Sequence, residues 1–443
     1  MAKYRIDTVL RIRTRHRPGQ LARLATVIAQ EGALIGEITT IHMAEGISTR
    51  DLTIETEDEA HTERTIAALS NTDGVEVVEV KDRVFELHRG GKIASGSRVE
   101  LRNLGDMRYI YTPGVARVSR AIAADSERAW DYTNIGRSVG IFTNGSRVLG
   151  LGNIGPLASM PVMEGKAVLY DKFAGLSATP ILIDTLDADE FIETVVRASK
   201  GFGGVHLEDI RIPECFKIEA ELKRRLHKPV MHDDQHGTAV VTLAAIINAC
   251  RLTGLELRKS KLGQVGLGAA GSAIAKLALA YGVGQVLVTD MNPAGVETLV
   301  AEGAVASNLE GIMAEAQIVV CTTGKVGLIK PEMVRKGQVI FALSNPHPEI
   351  DPDVAHAAGA AYAADGQSIN NALAFPGIFK GALEVRAGTI HPQMFIAAAE
   401  AIAGKVASNE VVPSPLELGV HDAVRQAVAD CARVLGLANT AKL

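Results

Sequence analysis

A glycine-rich turn in the second half of the chain constrains the fold more than any other feature. The turn GLGAAG, at 266–271, follows an apolar run at 262–267 and opens a helical stretch at 272–280. Glycines at this spacing allow a tight turn, let the backbone approach a pyrophosphate and let the helix pack on the strand. The helix N-terminus then faces the phosphates. The sequence therefore predicts a dinucleotide site formed by Gly266, Gly268, Ala269, Ala270 and Gly271.

An acidic residue follows the next apolar run at the spacing expected of a ribose ligand. Asp290 comes directly after the run at 285–289, about 20 residues beyond the glycine-rich turn. A carboxylate there accepts the ribose hydroxyls and repels a 2′-phosphate. We therefore expect NAD to be favoured over NADP, although basic residues elsewhere could reverse the preference.

Short apolar runs alternate with helical stretches through the same half of the chain. They lie at 262–267, 286–289, 318–321 and 339–343. Short strands that alternate with helices are typical of a parallel sheet covered on both faces. The predicted fold class is therefore α/β, with a Rossmann-type doubly wound NAD(P)-binding domain. Nearer the N-terminus, Asn144-Gly145 between apolar segments predicts a β-hairpin.

The first 88 residues have the pattern of a separate module. Apolar residues at even positions, Tyr4, Ile6, Leu10 and Ile12, predict a half-buried strand. A predicted helix with Leu21, Leu24, Ala25, Val27 and Ile28 on one face follows. Further strands are predicted at 34–42, 48–57 and 75–84, and a second helix at 60–70. The order β-α-β-β-α-β is the ferredoxin-like arrangement.

Composition excludes several classes of protein. The formal net charge of −5 argues against a nucleic-acid partner, because proteins that bind a phosphate backbone are usually basic. The most apolar stretch, 238–250, is shorter than the roughly 20 residues that span a bilayer, so we predict a buried helix. The four cysteines form no C-x-x-C pair and the N-terminus has no apolar signal segment. A reducing cytoplasm is therefore the expected compartment.

Two acid-rich clusters have the composition of a site for a hard metal ion. Glu208 and Asp209 follow one apolar segment, and Asp233 and Asp234 follow another, so both clusters are predicted where strands end. Oxygen ligands favour Mg²⁺ or Mn²⁺ over zinc.

A zinc-peptidase motif is a rival interpretation of the second cluster. His232 and His236 are four residues apart, and on a helix they would share a face, as in H-E-x-x-H. The glutamate of that motif is missing. The preceding strand and Gly237 also argue against an uninterrupted helix, so we expect no zinc site.

Two further segments supply candidate proton carriers. Tyr111 precedes Pro113 and Gly114, which restrict the backbone. Lys166 stands between a glycine and an apolar run, where desolvation could lower its pKa into the range of a base. Taken alone, such a tyrosine is more often a packed residue and such a lysine a surface residue. Only together with the acid-rich clusters do they indicate a catalytic site.

Two resemblances join these parts. Residues 17–22, RPGQLA, resemble an ACT domain, a small regulatory module. From about Gly90 onward the chain resembles a malic enzyme. The motifs that carry this second resemblance, in order, are YTPGVA at 111–116, SRVLGLG at 146–152, EGK at 164–166, LED at 207–209, HDDQHGT at 232–238, SNP at 344–346 and NNALAFPG at 370–377.

The resemblance implies oxidative decarboxylation of L-malate to pyruvate and CO₂ with reduction of NAD(P)⁺. It implies that Lys166 is the base for the malate hydroxyl and that Tyr111 is the acid that protonates carbon. Asp233 would lie behind the metal ligands. The ligands implied for Mg²⁺ or Mn²⁺ are Glu208, Asp209 and Asp234. The residues implied to bind substrate are Arg147, Asn345, Asn370 and Asn371, and Asn345 would also contact the nicotinamide ribose.

The predicted organisation has three parts: an ACT-like regulatory domain at 1–88, a metal-binding catalytic domain at 89–238, and a Rossmann domain with closing helices at 239–443. We expect a homo-oligomer, a dimer or tetramer, and a small-molecule effector at the first domain. That domain could instead serve only for dimerisation. Two alternative functions are a dehydrogenase or decarboxylase of a related 2-hydroxy acid, and a catalytically idle metabolite sensor.

Overall fold

The computed structural model describes residues 6–148, 151–406 and 410–439. Tyr4 of the first predicted strand, and Leu149 and Gly150 of the SRVLGLG motif, lie outside these residues. The chain forms two compact units, divided after Ala94.

The N-terminal unit is an antiparallel sheet with helices. Its strands are β1 (Ile6–Arg15), β2 (Leu34–Ala44), β3 (Ile47–Thr56) and β4 (Val75–Asp82), and its helices are α1 (Gln20–Gln30), α2 (Glu59–Ser70) and α3 (Arg83–His88). The sheet order β2-β3-β1-β4 confirms the predicted β-α-β-β-α-β pattern. Leu24 and Ile28 of α1 are buried in this unit's core, whereas Leu21, on the same apolar face, is 42% exposed. The strand predicted to continue to residue 84 ends at Asp82, whose side chain accepts hydrogen bonds from the first turn of α3.

The second unit begins with a four-stranded sheet. Its strands are β5 (Ser138–Thr143), β6 (Ser177–Leu182), β7 (Gly204–Leu207) and β8 (Val230–His232). The helices before and between them are α4 (Leu104–Ile110), α5 (Val115–Ala124), α6 (Ala129–Tyr132), α7 (Gly155–Ala174), α8 (Ala188–Ala198) and α9 (Glu214–Arg225). The order is β6-β5-β7-β8, and all three pairings are parallel.

The hairpin predicted at Asn144-Gly145 is wrong, because β5 pairs in parallel on both sides. Gly145 has a φ of 63°, and a Cβ atom there would lie 2.1 Å from the carbonyl oxygen of Gly155. The glycine therefore lets the chain pass close to the start of α7 rather than turn back along β5.

A six-stranded parallel sheet completes the second unit. Its strands are β9 (Lys261–Val265), β10 (Gln285–Thr289), β11 (Val305–Ala306), β12 (Ile318–Cys321), β13 (Val339–Ala342) and β14 (Tyr362–Asp365). The order β11-β10-β9-β12-β13-β14 is the 3-2-1-4-5-6 order of a doubly wound dinucleotide fold, which confirms the predicted class. The helices that precede, cover and follow this sheet are α10 (Asp233–Thr253), α11 (Ala269–Tyr281), α12 (Pro293–Ala301), α13 (Leu309–Glu315), α14 (Pro352–Ala357), α15 (Phe375–Glu384), α16 (Pro392–Ala403) and α17 (Val420–Val434).

Helix α10 connects the two parallel sheets. It is 21 residues long and buries almost every residue from 237 to 250, as the apolar run at 238–250 predicts. Gly237 does not interrupt it, so the expectation of a broken helix is wrong. The predicted division between residues 238 and 239 falls inside this helix. Within the described residues, the structure shows no helix of the length and hydropathy that crossing a lipid bilayer requires.

Candidate active site

The ends of two adjacent parallel strands bring three carboxylates together. Glu208 and Asp209 follow β7, and Asp234 lies in the first turn of α10, directly after β8. Ligand oxygens of these three residues lie within 4.8 Å of one another. The backbone N–H of Asp209 also donates to Asp234 Oδ2 at 3.2 Å.

The electrostatics of this carboxylate cluster fit a divalent cation. Burial, followed by the charges of Glu208 and Asp234, raises the pKa of Asp209 to about 8. Burial raises the pKa of Glu208 to about 7, although the positive charge of Lys166 offsets part of this rise. Asp209 Oδ2 is buried without a hydrogen-bond partner, and Asp209 has a left-handed φ of 54°, a strained conformation typical of functional sites. Carboxylate oxygens in this arrangement are the ligands that Mg²⁺ and Mn²⁺ prefer.

Lys166 lies beside these carboxylates. It projects from α7, donates a hydrogen bond to Asp233 Oδ2, and its Nζ is 3.0 Å from Glu208 Oε1. Burial alone would lower the pKa of Lys166, but the charges of Asp233 and Glu208 outweigh it and the net pKa is raised. The expected lowering by desolvation is therefore wrong for this arrangement, because the burial of Lys166 is accompanied by its ion pairs.

A buried tyrosine–histidine pair, not found by the sequence analysis, supports Glu208. His206 Nε2 is 2.6 Å from Glu208 Oε2, and His206 Nδ1 is 2.8 Å from the hydroxyl of Tyr170. Burial lowers the pKa of His206 to about 3, so the ring is neutral. Nε2–H then donates a hydrogen bond to Glu208, and Nδ1 accepts a hydrogen bond from the hydroxyl group of Tyr170. His206 and Glu208 are two residues apart at the end of a strand, a spacing that places both side chains on the same face of the sheet. This spacing could have predicted their contact.

The two histidines of the zinc-like motif have different partners. His236 Nε2 is 3.0 Å from Glu219 Oε2 and its ring stacks on Phe395 with centroids 4.6 Å apart. His232 Nε2 lies 3.2 Å from Asp234 Oδ2. The two groups of side chains placed to hold a metal ion among the described residues contain neither His232 nor His236.

Glu219 is a further residue that the sequence analysis missed. It lies buried on α9 and accepts hydrogen bonds from the backbone N–H of His232 at 2.9 Å and from Gln235 Nε2 at 3.3 Å. Burial would raise the pKa of Glu219, but His236 and Lys223 lower it overall. This carboxylate therefore fixes the chain immediately before Asp234.

The predicted substrate residues have different positions. Asn371 Nδ2 donates to Asp233 Oδ2 at 3.2 Å, and its Oδ1 accepts from Thr238 Oγ1 at 3.2 Å. The backbone N–H of Arg147 donates to the carbonyl oxygen of Asp209 at 3.1 Å, and the Arg147 side chain is exposed. Asn370 is exposed and accepts a hydrogen bond from the backbone N–H of Ala372 at 2.9 Å.

Tyr111 is not brought into this cluster. It ends α4, and its side chain is 67% exposed. Across the described ranges, no hydrogen bond joins its hydroxyl to Lys166 or to the three carboxylates.

The glycine-rich turn lies at the ends of β9 and β12, the switch point where dinucleotides bind in this fold. Gly266 has a φ of 89°, and a Cβ atom on Gly271 would lie 1.9 Å from the carbonyl oxygen of Gly266. A larger residue at Gly266 or Gly271 would therefore require the backbone of the turn to shift. Asp290 Oδ2 accepts from the backbone N–H of Leu267 at 2.6 Å, so the acidic residue lies against the turn.

Glu349, also missed, joins two loops beside that turn. It is fully buried and accepts hydrogen bonds from Thr323 N at 2.7 Å and Thr323 Oγ1 at 2.9 Å. It also accepts from Ser344 Oγ at 2.5 Å. Thr323 follows β12 and Ser344 follows β13, next to the predicted ligand Asn345. One carboxylate thus fixes both loops at the crevice.

The fold and the site can be compared with known protein families. A doubly wound dinucleotide domain beside a carboxylate cluster with an embedded lysine defines the class of a nucleotide-dependent oxidoreductase. Four family models match: the ACT domain at residues 3–79, the malic enzyme N-terminal domain at 97–223, the NAD-binding domain of D-isomer specific 2-hydroxyacid dehydrogenases at 230–326, and the malic enzyme NAD-binding domain at 302–434.

Similar proteins agree with these models. NAD-dependent malic enzyme 1 of Bacillus subtilis is 50% identical over 98% of this chain and 99% of its own length. NAD-dependent malic enzyme of Geobacillus stearothermophilus is 40% identical over 94% and 92%. A crystal structure of malic enzyme from Pyrococcus horikoshii matches with a TM-score of 0.74 and 38% identity over 79% of this chain and 88% of that one. The chain belongs to the malic enzyme family.

Proposed function

We propose that the cluster around Lys166 is the catalytic centre at which this malic enzyme oxidises L-malate to pyruvate and CO₂ with reduction of NAD⁺ or NADP⁺. One observation carries the proposal. Lys166 lies between Asp233 and Glu208 at the edge of three carboxylates whose oxygens lie within 4.8 Å of one another. A proton acceptor thus adjoins a set of metal ligands, which is the combination that the chemistry requires.

Glu208, Asp209 and Asp234 would hold Mg²⁺ or Mn²⁺. When bound, the cation supplies Lewis-acid stabilisation of the negative charge that develops on the C2 oxygen as CO₂ leaves. The buried, unpartnered Oδ2 of Asp209 supports its assignment as a ligand. His206 orients Glu208 through its N–H, in the manner usual for residues behind metal ligands.

Lys166 accepts the proton of the malate hydroxyl as the hydrogen on C2 leaves as hydride. It must first release its own proton, which the charges of Asp233 and Glu208 hold in place. Neutralisation of Glu208 in the loaded site would weaken that hold, since an opposite charge is what raises the pKa of an ammonium group. Asp233 and Asn371 keep the amine aimed at the substrate.

Arg147 binds a malate carboxylate, for which a guanidinium group offers paired donors. Tyr111 donates the proton that replaces CO₂ on C3. Its side chain is 67% exposed and makes no hydrogen bond to Lys166 or the three carboxylates among the described residues. Asn345 and Asn370 contact the substrate and the nicotinamide ribose.

We propose NAD as the preferred cofactor. The support is Asp290 at the end of β10 and the sequence after it, MNPAGVETLVA at 291–301, which contains no lysine or arginine. A 2′-phosphate would therefore meet a carboxylate without a nearby cation on that segment.

We also propose a cytoplasmic homo-oligomer with a small-molecule effector at the N-terminal unit. Support for self-association comes from β2, an edge strand on which Leu34, Ile38, Ile41 and Met43 are 40–56% exposed. Exposed apolar edge strands are templates for pairing with another chain.

One experiment tests the proposed function. Malate-dependent reduction of NAD⁺ and NADP⁺ is measured with and without Mn²⁺, and pyruvate is assayed. We expect pyruvate in step with reduced cofactor, only with metal, and absence of pyruvate would refute the proposal. Lys166→Ala should abolish malate oxidation, whereas Tyr111→Phe should retain some reduction of oxaloacetate. Equal loss of both partial reactions in both variants would contradict separate base and acid roles.

A further inference from the structure

A cavity of about 240 Å³ lies between the end of α7, the body of α15 and the first turn of α17. Its lining contains none of the residues assigned to metal, malate or dinucleotide. Its lining includes Phe173, Lys380, Glu384, His421, Asp422 and Arg425. The proposed function gives this cavity no role.

Lys380 enters the cavity without a carboxylate of its own. Glu384, one turn later on α15, is bound by Arg425 at 2.7 Å and by Arg433 at 3.6 Å. Asp422 is bound by the same Arg425 at 3.4 Å. Within the part of the chain that the structure describes, no carboxylate oxygen lies within 4.0 Å of the Lys380 ammonium. Competition from two arginines thus leaves the lysine unpaired.

The surroundings of Lys380 favour a negative charge. Its pKa is lowered, first by burial and then by the charge of Arg137, with Arg425 acting in the same direction, while Glu384 and Asp422 oppose this lowering in part. The first turn of α17 lines the cavity, and the N–H groups of a first helical turn carry partial positive charge. His421 adds no charge, because burial lowers its pKa. Its ring instead stacks on Phe173, with centroids 4.2 Å apart, and closes one wall.

Two helices connect this cavity with the candidate active site. The helix α7 carries Lys166 and Tyr170 before it reaches the cavity at Phe173. The helix α15 begins with Phe375, whose ring centre is 4.7 Å from Lys166 Nζ and 4.9 Å from the ring centre of Tyr170. A shift of either helix at the cavity would therefore move a group in contact with Lys166.

We propose that this cavity is a second ligand site, which binds a small oxyanion through Lys380, and that its occupancy changes the rate of malate turnover. A carboxylate and a phosphate share the required chemistry. Both are small enough for the cavity. Either would give Lys380 a negative partner, as Glu384 and Asp422 do for the arginines.

The binding test measures how fast Lys380 is chemically modified. The full chain, with Mg²⁺ and NAD⁺, is treated with a trace of an amine-acetylating reagent at constant ionic strength in chloride, acetate or inorganic phosphate. Acetylation of Lys380 is measured by mass spectrometry. Lys276, exposed and bound to Glu302 at 2.6 Å, is the reference within the same sample.

Binding predicts saturable protection of Lys380 alone. At about ten times Kd the acetylation rate falls about tenfold, as occupancy requires. Protection by phosphate but not acetate, or the reverse, identifies the class of ligand. If Lys380 follows Lys276 in both anions, the proposal is overturned.

Two variants test the coupling. The kcat for malate oxidation should change with the protecting anion at the same half-saturating concentration in wild type and in Lys380→Arg, which keeps the charge. Lys380→Met, which keeps only the apolar stem, should lose that response while its kcat in chloride stays near wild type. A response in Lys380→Met equal to that of wild type, or no response in any form, would overturn the coupling.

Discussion

Gly237→Ala tests whether Asp233 must hold Lys166 in place. A Cβ atom on residue 237 would lie 2.0 Å from Asp233 Oδ1 and 3.3 Å from Asn371 Cβ. Because such contacts do not occur below 3.0 Å, the carboxylate must move by at least about 1 Å, and a misplacement of that size can lower a rate about 100-fold. Asp233 cannot rotate without loss, since its other oxygen binds both Lys166 and Asn371.

The assay compares kcat for malate oxidation with thermal stability. Alanine favours a helix over glycine by about 1 kcal/mol, which offsets part of the strain, so we expect a small change in Tm beside the roughly 100-fold loss in kcat. Gly201→Ala is the control, because no atom lies within 4 Å of its added Cβ, and it should keep wild-type kcat. A Gly237→Ala enzyme with kcat within about threefold of wild type would refute the reasoning, since that loss corresponds to less than 1 kcal/mol.

Three further predictions concern charge and cofactor. In EDTA, the folded pKa values of Glu208, about 7, and Asp209, about 8, are raised above their unfolded values of about 4. The stability contributed by the protonated carboxyl groups is complete below about pH 4 and is lost as the pH rises from there through 7 to 8. Calorimetry should therefore show Tm falling over that range without metal and not with Mn²⁺, and an identical fall in both would contradict a metal role for these carboxylates. Asp290→Ala should raise kcat/KM for NADP⁺ relative to NAD⁺ in steady-state kinetics, and an unchanged ratio would contradict its role in selectivity. Glu349→Gln replaces one carboxylate oxygen by an NH₂ donor, which faces the backbone N–H of Ser344 if the remaining oxygen keeps its contacts with Thr323. Loss of one charged hydrogen bond costs about 1.5–3 kcal/mol, so KM for NAD⁺ should rise at least about tenfold, while an unchanged KM would show that the two loops hold without it.

The sequence predicted the elements that follow from local pattern. The runs at 318–321 and 339–343 became strands because buried parallel strands are continuously apolar, and the turn at 266–271 required glycine for reasons visible in the chain itself. The strand ends that carry Glu208 and Asp234 were also predictable, since parallel strands place their carboxyl ends at one edge of a sheet.

The missed features depend on contacts between distant segments. Glu349 meets Thr323 across 26 residues, and Tyr170 meets His206 across 36, and neither pairing has a local signature. The hairpin predicted at Asn144-Gly145 was wrong for the same reason, because β5 pairs in parallel with β6 and β7, which lie farther along the chain. Gly237 suggested a helix break by propensity, whereas the packing of Asp233 and Asn371 around it requires glycine within an unbroken helix.

The continuity of α10 has a consequence for protein engineering. Its first turn supplies Asp234 to the carboxylate cluster, and its remaining turns are buried in the core that the Rossmann sheet shares. A chimera joined at residue 238, where the motifs suggest a boundary, would divide this helix between two parents and mismatch its buried surface. Exchange of cofactor preference by transplantation should therefore begin before Asp233, so that one carboxylate of the cluster travels with the nucleotide-binding half.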